Sequence, residues 1–242
     1  LAEFLNLDAK SAFSLKVTPS ENIIFFKKNE KEKLPIASLV KLMTALVVLE
    51  KYDLSKSVII SKEAFEQEGE QGVLKEGEVL LVKDLLYITL IESSNKSAYA
   101  LAEVIGVNEF INSMNLEAKR LGLLNTYFKD STGLDPESYS TAEDLTKLSD
   151  YLFKNYPLFK EIISFKEYNL YLSNGTLHHT LVNTNELLGQ EGIIGGKTGW
   201  TNVARGCIMV VKENSPQEYF IHIILGAEDK FSEVKKLIDI LD

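Results

Sequence analysis

The sequence predicts an α/β (α+β) fold: an antiparallel sheet built from both chain ends, flanked by helices, with an all-helical lobe inserted between them. Alternating, β-branched and aromatic segments cluster near the start and in the last third of the chain, whereas the middle is helical by period and by stop signals. No internal repeat or low-complexity tract interrupts that order. At 242 residues the chain is read as one domain, with a sheet lobe over 1–37 and 190–242, a helical lobe over 38–189, and no additional C-terminal domain.

The elements follow in order. Ser11–Val17 and Asn22–Phe26, joined by Thr18-Pro19-Ser20-Glu21, read as a β-hairpin. After the charged patch Lys27–Lys33 and Pro35, residues Leu39, Leu42, Met43, Leu46, Val47 and Leu49 form a wide apolar face, predicting a largely buried helix from Ser38 to about Lys51. Leu80–Ile91 predicts a helix that stops at Glu92-Ser93-Ser94-Asn95. Ala98–Ile105 predicts another, ended by Gly106, and Asn108–Leu121 a third, ended by Gly122. Ser131–Pro136 is turn chemistry, and Ser140-Thr141-Ala142-Glu143 fits a capping box that opens a fourth helix, to Tyr151. Gly192–Lys197, Val203–Val211 and Tyr219–Leu225 read as strands. A closing amphipathic helix, with Phe231, Val234, Leu237, Ile238 and Leu241 on one face, is expected to pack on the sheet.

Composition removes several function classes. A net charge of −9 and the absence of a basic stripe argue against a nucleic-acid partner. The single cysteine, Cys207, excludes an internal disulfide and sits in an apolar run, as a small core residue would. Nothing approaches the roughly 18 apolar residues that span a bilayer. The first residue is Leu1, so a trimmed chain is expected, with any signal segment or membrane anchor outside it. His178 and His179 are adjacent, a poor arrangement for one metal, and no third ligand accompanies them at zinc-site spacing, so neither metal nor cofactor is expected. Acidic runs such as Glu66-Gln67-Glu68-Gly69-Glu70 read as a solvated face. A phosphate loop around Gly196-Lys197-Thr198 lacks its first glycine, because position 191 is Glu191.

Chemistry is carried by three short patterns. Ser38 and Lys41 stand three apart at the head of the buried helix, so the lysine amine can reach the serine hydroxyl. Ser-x-x-Lys alone arises by chance roughly once in a few hundred residues. Ser93-Ser94-Asn95 in a helix break and Lys197-Thr198-Gly199 at a strand end accompany it, in the order and settings expected of serine acyltransferases acting on D-alanyl peptides and penicillins. A lysine serves as a base only when neutral, a form favoured by burial and by a second cation, here Lys197. The Ser38 N–H, near the positive end of the helix, suits an oxyanion. Lys197 and Thr198 can bind a terminal carboxylate, and Gly199 lets an extended peptide approach the strand edge. Ser93 would pass a proton between Lys41 and the leaving amine, and Asn95 would bond the substrate amide.

Together with Leu34–Ala45, Ser131-Thr132-Gly133-Leu134, Asn183–Gly189 and Gly195–Thr201, these motifs make the chain resemble the D-alanyl-D-alanine carboxypeptidases, the low-molecular-mass penicillin-binding proteins, over roughly residues 8 to 240. The resemblance implies a penicillin-binding-protein/β-lactamase-like transpeptidase fold. It implies a serine D,D-carboxypeptidase that removes the terminal D-alanine of peptidoglycan stem peptides through an acyl-enzyme on Ser38 and is trapped by β-lactams. It also implies an oxyanion hole from the N–H groups of Ser38 and Trp200, and a place at the outer face of the cytoplasmic membrane or in the periplasm. A monomer is expected. One departure stands out: where relatives carry an arginine after the last strand, this chain reads Leu225-Gly226-Ala227-Glu228-Asp229-Lys230, so Arg205 is taken as the carboxylate partner, with Lys230 as the alternative. A D,D-endopeptidase is the nearest alternative function. A serine β-lactamase is disfavoured because no Glu-x-x-Leu-Asn is present, and a non-catalytic wall-binding module is the reading from another class.

Overall fold

A computed structural model describes residues 5–69 and 71–240. Glu70 of the acidic run and Leu241 of the closing helix fall outside them. In chain order the elements are β1 (Ser11–Val17), β2 (Asn22–Lys28), β3 (Leu34–Pro35), a 3-10 turn (Ala37–Leu39), α1 (Val40–Lys51), β4 (Ser57–Ile59), α2 (Lys62–Phe65), β5 (Val79–Leu81), α3 (Val82–Ile91) and α4 (Asn95–Glu103). There follow α5 (Val107–Arg120), β6 (Tyr139–Ser140), α6 (Ala142–Asn155), α7 (Pro157–Ser164), β7 (Glu167–Tyr171), β8 (Leu177–Val182), β9 (Ile193–Thr201), β10 (Arg205–Ser215), β11 (Glu218–Ala227) and α8 (Lys230–Asp239).

Five strands form one antiparallel sheet in the order β2-β1-β11-β10-β9, so the first hairpin joins the last three strands through β1 against β11. The period of two explains the layers. Cys207, Met209 and Val211 of β10, with Ile221, Ile223 and Leu225 of β11, face the large core shared with the helices. Ile208, Val210 and Ile224 face the smaller core, where Val234, Leu237 and Ile238 of α8 pack. These strands read as continuous apolar runs because both of their faces are buried. At about 1.5–3 kcal/mol per buried aliphatic side chain, the three α8 anchors alone account for its docking on the sheet.

Helix α1 runs through the middle of the helical lobe, buried from Val40 to Val48, which is why its sequence is apolar on nearly every side. Helices α3, α4, α5 and α6 pack around it. Several boundaries differ from the sequence reading, for local reasons. Ser38 lies in the 3-10 turn ahead of α1, not in its first turn. Leu80 belongs to β5, paired with Val58 of β4. Helix α4 starts at Asn95, three residues earlier than expected, because the Ser94 hydroxyl accepts from the Ser97 N–H and caps it. The cap of α6 is Thr141, accepting from the Asp144 N–H, so the expected box is shifted by one residue. Helix α7 and the hairpin β7–β8 were not foreseen. The Lys197-Thr198-Gly199 motif sits inside β9, which continues to Thr201, and not at its end. Among the described residues, no helix is long and apolar enough to cross a membrane.

Candidate active site

Three backbone segments converge on the head of α1. The 3-10 turn presents Ser38, the break between α3 and α4 presents Ser93 and Asn95, and β9 runs past with Lys197, Thr198 and Gly199. Two of the turns are held in the left-handed region, Ala37 at φ +48° and Ser93 at φ +63°, conformations that side-chain-bearing residues rarely adopt without tertiary support. Gly199 explains the close approach of the sheet. A Cβ there would stand 2.8 Å from the Ser38 amide nitrogen and 3.1 Å from the Ala37 Cβ, so a side chain would drive β9 off the nucleophile turn.

Lys41 is fully buried, and its Nζ has three oxygen partners: Ser38 Oγ at 2.8 Å, Asn95 Oδ1 at 2.7 Å and the Thr132 carbonyl at 2.6 Å. Burial pushes its pKa down to about 7, partly opposed by the negative charge of Asp130. Lys197 is also buried, donating to Ser93 Oγ at 2.6 Å and to the Thr198 carbonyl at 2.8 Å. Its pKa is held well below the usual lysine value by burial and by the neighbouring charges of Lys41 and Lys230. Burial is the larger cause for both amines, and their mutual repulsion disfavours charging the two together. Thr198 donates its hydroxyl to Thr184 Oγ1 at 2.6 Å, which ties the Asn183–Gly189 stretch to β9.

Over the two lysines opens a cleft of about 230 Å³ lined by Ser38, Ser93, Asn95, Thr198 and Gly199 together with Gln71, Glu92, Thr184, Trp200 and Lys230. Trp200 is 56 % exposed in that lining. A larger groove of about 580 Å³ separates residues 186–190 from α8, but no buried nucleophile or titratable group lines it. Among the described residues, no cluster of three His, Cys, Asp or Glu could hold a metal ion.

Of the site residues named from sequence, Ser38, Lys41, Ser93, Asn95, Lys197, Thr198, Gly199 and Trp200 come together here. Arg205 does not. It opens β10 opposite Thr201, at φ +62°, and its guanidinium lies 3.9 Å from the Glu228 carboxylate, away from the cleft lining. Lys230, the first residue of α8, reaches the cleft instead, because α8 folds back over the β10–β11 end of the sheet. Asn95 also has partners within the chain: Oδ1 accepts from Lys41, and Nδ2 donates one of its two N–H groups to the Glu68 carbonyl at 2.8 Å. Sequence reasoning missed Glu92 in the cleft lining and the carbonyl of Thr132 under Lys41. The Ser131-Thr132-Gly133-Leu134 turn, already singled out, was the available signal for the latter.

Comparison with known proteins bears directly on this geometry. The D-alanyl-D-alanine carboxypeptidase family model matches residues 2–229. A D-alanyl-D-alanine carboxypeptidase of Bacillus subtilis is 33% identical over 96% of the chain, which spans 61% of that protein's length. A D-alanyl-D-alanine endopeptidase of Escherichia coli is 34% identical over 94% of the chain, which spans 76% of its length. The crystal structure of the Streptomyces K15 DD-transpeptidase superposes with a TM-score of 0.88 at 28% identity, covering 97% of both chains.

Proposed function

Since the chain belongs to the D-alanyl-D-alanine carboxypeptidase family, we propose that it is a serine D,D-carboxypeptidase acting on peptidoglycan stem peptides that end in D-Ala-D-Ala. The observation that carries this reading is the three-oxygen environment of Lys41. An ammonium could donate to all three oxygens. With its pKa near 7, the amine is substantially neutral at neutral pH, with two N–H donors and one lone pair. Donation to Asn95 Oδ1 and the Thr132 carbonyl then leaves the lone pair for the Ser38 hydroxyl, at 2.8 Å. That is the arrangement of a general base.

Ser38 Oγ attacks the penultimate D-Ala carbonyl carbon as its proton passes to Lys41. The oxyanion is received by the N–H groups of Ser38 and Trp200. The peptide C–N bond breaks, the proton returns through Ser93 to the leaving amine, and D-alanine departs. Water then hydrolyses the ester on Ser38 and regenerates the hydroxyl. The arriving carboxylate would draw Lys197 back to its charged form, with Thr198 as a hydroxyl partner and Lys230 as the second cation in place of Arg205. β-Lactams would acylate the same serine.

The 242 residues are read as one catalytic domain working outside the cytoplasm, where its substrate lies. The identity with relatives named endopeptidases keeps cleavage of cross-links as a second reading. Incubation with a D-Ala-D-Ala-ended stem peptide, with free D-alanine assayed, is expected to show release by wild type and none by Ser38→Ala. No release by wild type, or equal release by both, would overturn the proposal. The same assay on a cross-linked dimer separates carboxypeptidase from endopeptidase.

A further inference from the structure

The carboxylate of Asp130, just ahead of the Ser131–Leu134 turn, gathers the whole turn. Its Oδ2 accepts from the Thr132 hydroxyl at 2.5 Å and from the amides of Gly133 at 2.7 Å, Leu134 at 3.0 Å, Thr132 at 3.2 Å and Asp135 at 3.5 Å. Oδ1 accepts from the Ser138 hydroxyl at 2.7 Å. A carboxylate offers about four lone-pair sites, and here both oxygens are bound.

The turn so fixed touches the nucleophile segment at three consecutive residues. The Ser131 carbonyl accepts from Thr44 Oγ1 of α1 at 2.7 Å, and the Thr132 carbonyl accepts from Lys41 Nζ. Gly133, at φ +90°, lies so close to Ala37 that a Cβ would stand 2.0 Å from the Ala37 carbonyl oxygen. Ala37 is the strained residue immediately before Ser38.

We propose that Asp130 is a positioning residue of the acylation step: it holds the 131–134 backbone so that the Thr132 carbonyl orients the Lys41 amine toward Ser38, and its charge favours the ammonium that forms as the serine proton is taken. The charged groups around Lys41 are few. Asp130 attracts its proton, and Lys197 on β9, itself beside Lys230, repels it; the neighbour from α4 is the neutral Asn95. Asp130 itself is flanked by the solvent-facing pair Lys129–Glu137 and by Asp135. With the acid limb set by protonation of Lys41, removing the Asp130 charge makes the amine lose its proton at lower pH, so that limb moves to lower pH. Removing the whole acceptor lets the turn relax and misplaces the amine, which lowers the rate at every pH.

This inference rests on the acylation reading of the site, and the test separates the two. The rate of Ser38 acylation by a fluorescent penicillin is followed against pH for wild type, Asp130→Asn and Asp130→Ala, with folding checked by thermal melts. Asn keeps an oxygen for the same amides and removes the charge. Its rising limb is expected to shift down by about half a pH unit or more, while Ala loses about 100-fold at its optimum and Asn retains much more. Wild type that takes no penicillin would overturn the acylation reading. Wild-type acylation with a limb unmoved in Asp130→Asn, or an Ala variant as fast as wild type, would overturn the role of Asp130. If neither variant folds, Ser138→Ala removes one bond that holds the carboxylate and leaves its charge in place, so acylation is expected to slow several-fold at every pH with the limb unmoved; an unchanged rate there also overturns the role.

Discussion

The two walls of the cleft are built on opposite principles. On the helical side the reacting groups stand on irregular backbone: Ala37 and Ser93 are left-handed, Gly133 is at φ +90°, and Lys41 is fully buried. On the sheet side, Lys197, Thr198 and Gly199 occupy a regular strand, paired in register with Met209, Ile208 and Cys207. Groups that must meet within a hydrogen bond of each other are placed by strained turns that the surrounding packing holds shut. On the proposed reading, the groups that meet an extended substrate are placed by a ladder already built to pair with another strand. Burial is common to both walls, so what separates them is backbone strain: on the same reading it is concentrated where bonds change, with regular strand where the substrate is recognised.

The sharpest way to break that contrast is at Lys41. Replacing it by Met is expected to lower acylation at least about 10³-fold while raising stability at pH 6 by about 2 kcal/mol, because the folded chain no longer buries a cation. The sign follows from linkage. The unfolded lysine holds its proton up to about 10.5 and the folded one releases it near 7, so between these values the unfolded state binds more protons and wild-type stability rises with pH. The gain from Met is therefore full below pH 7 and shrinks as pH climbs toward 10. Thermal melts across that range check it, and a gain independent of pH would count against a buried amine under strain.

The two glycines compare the walls directly. Gly133→Ala meets rigid backbone at 2.0 Å and a positive φ, and is expected to cost about 3 kcal/mol of stability. Gly199→Ala, on ordinary strand backbone, meets Ser38 N at 2.8 Å with no positive φ to add; it is expected to cost less, about 1–2 kcal/mol, and slow acylation about 10- to 100-fold. Similar melts for the two variants would erase the distinction. The smallest effects are expected at the two candidate carboxylate partners. Lys230→Ala should raise KM for a D-Ala-D-Ala peptide about 10-fold with kcat little changed, whereas Arg205→Ala, whose partner is the exposed Glu228, should change KM less than 2-fold. Steady-state kinetics reads both, and the reverse order would return the carboxylate to Arg205.

Much of this was legible in the chain. Ser38 and Lys41 are three residues apart, and helical period alone brings their side chains together. The continuous apolar runs of β10 and β11 and the apolar period of α1 and α8 predict sheet and helices, because burial imposes those patterns on each residue independently. Boundary residues were less legible: Ser94 as a cap, Leu80 inside a short strand and Thr141 one place beyond the expected cap each depend on which neighbour supplies a hydrogen bond. The hairpin β7–β8 was missed because its strands face solvent along much of their length and show little alternation.

What the sequence determined by itself, then, is the inventory of reactive groups and the local frame of each, since both follow from residue type and short-range period. What the tertiary structure decided is which groups meet. Lys197 finds Ser93 from 104 residues away, the Thr132 carbonyl reaches Lys41 from 91, and Lys230 displaces Arg205 at the cleft. Those outcomes depend on the packing of α8 over the sheet and of the Asp130 turn against Ala37, and no short-range pattern carries them, because side chains distant in sequence become neighbours only when two cores close around them.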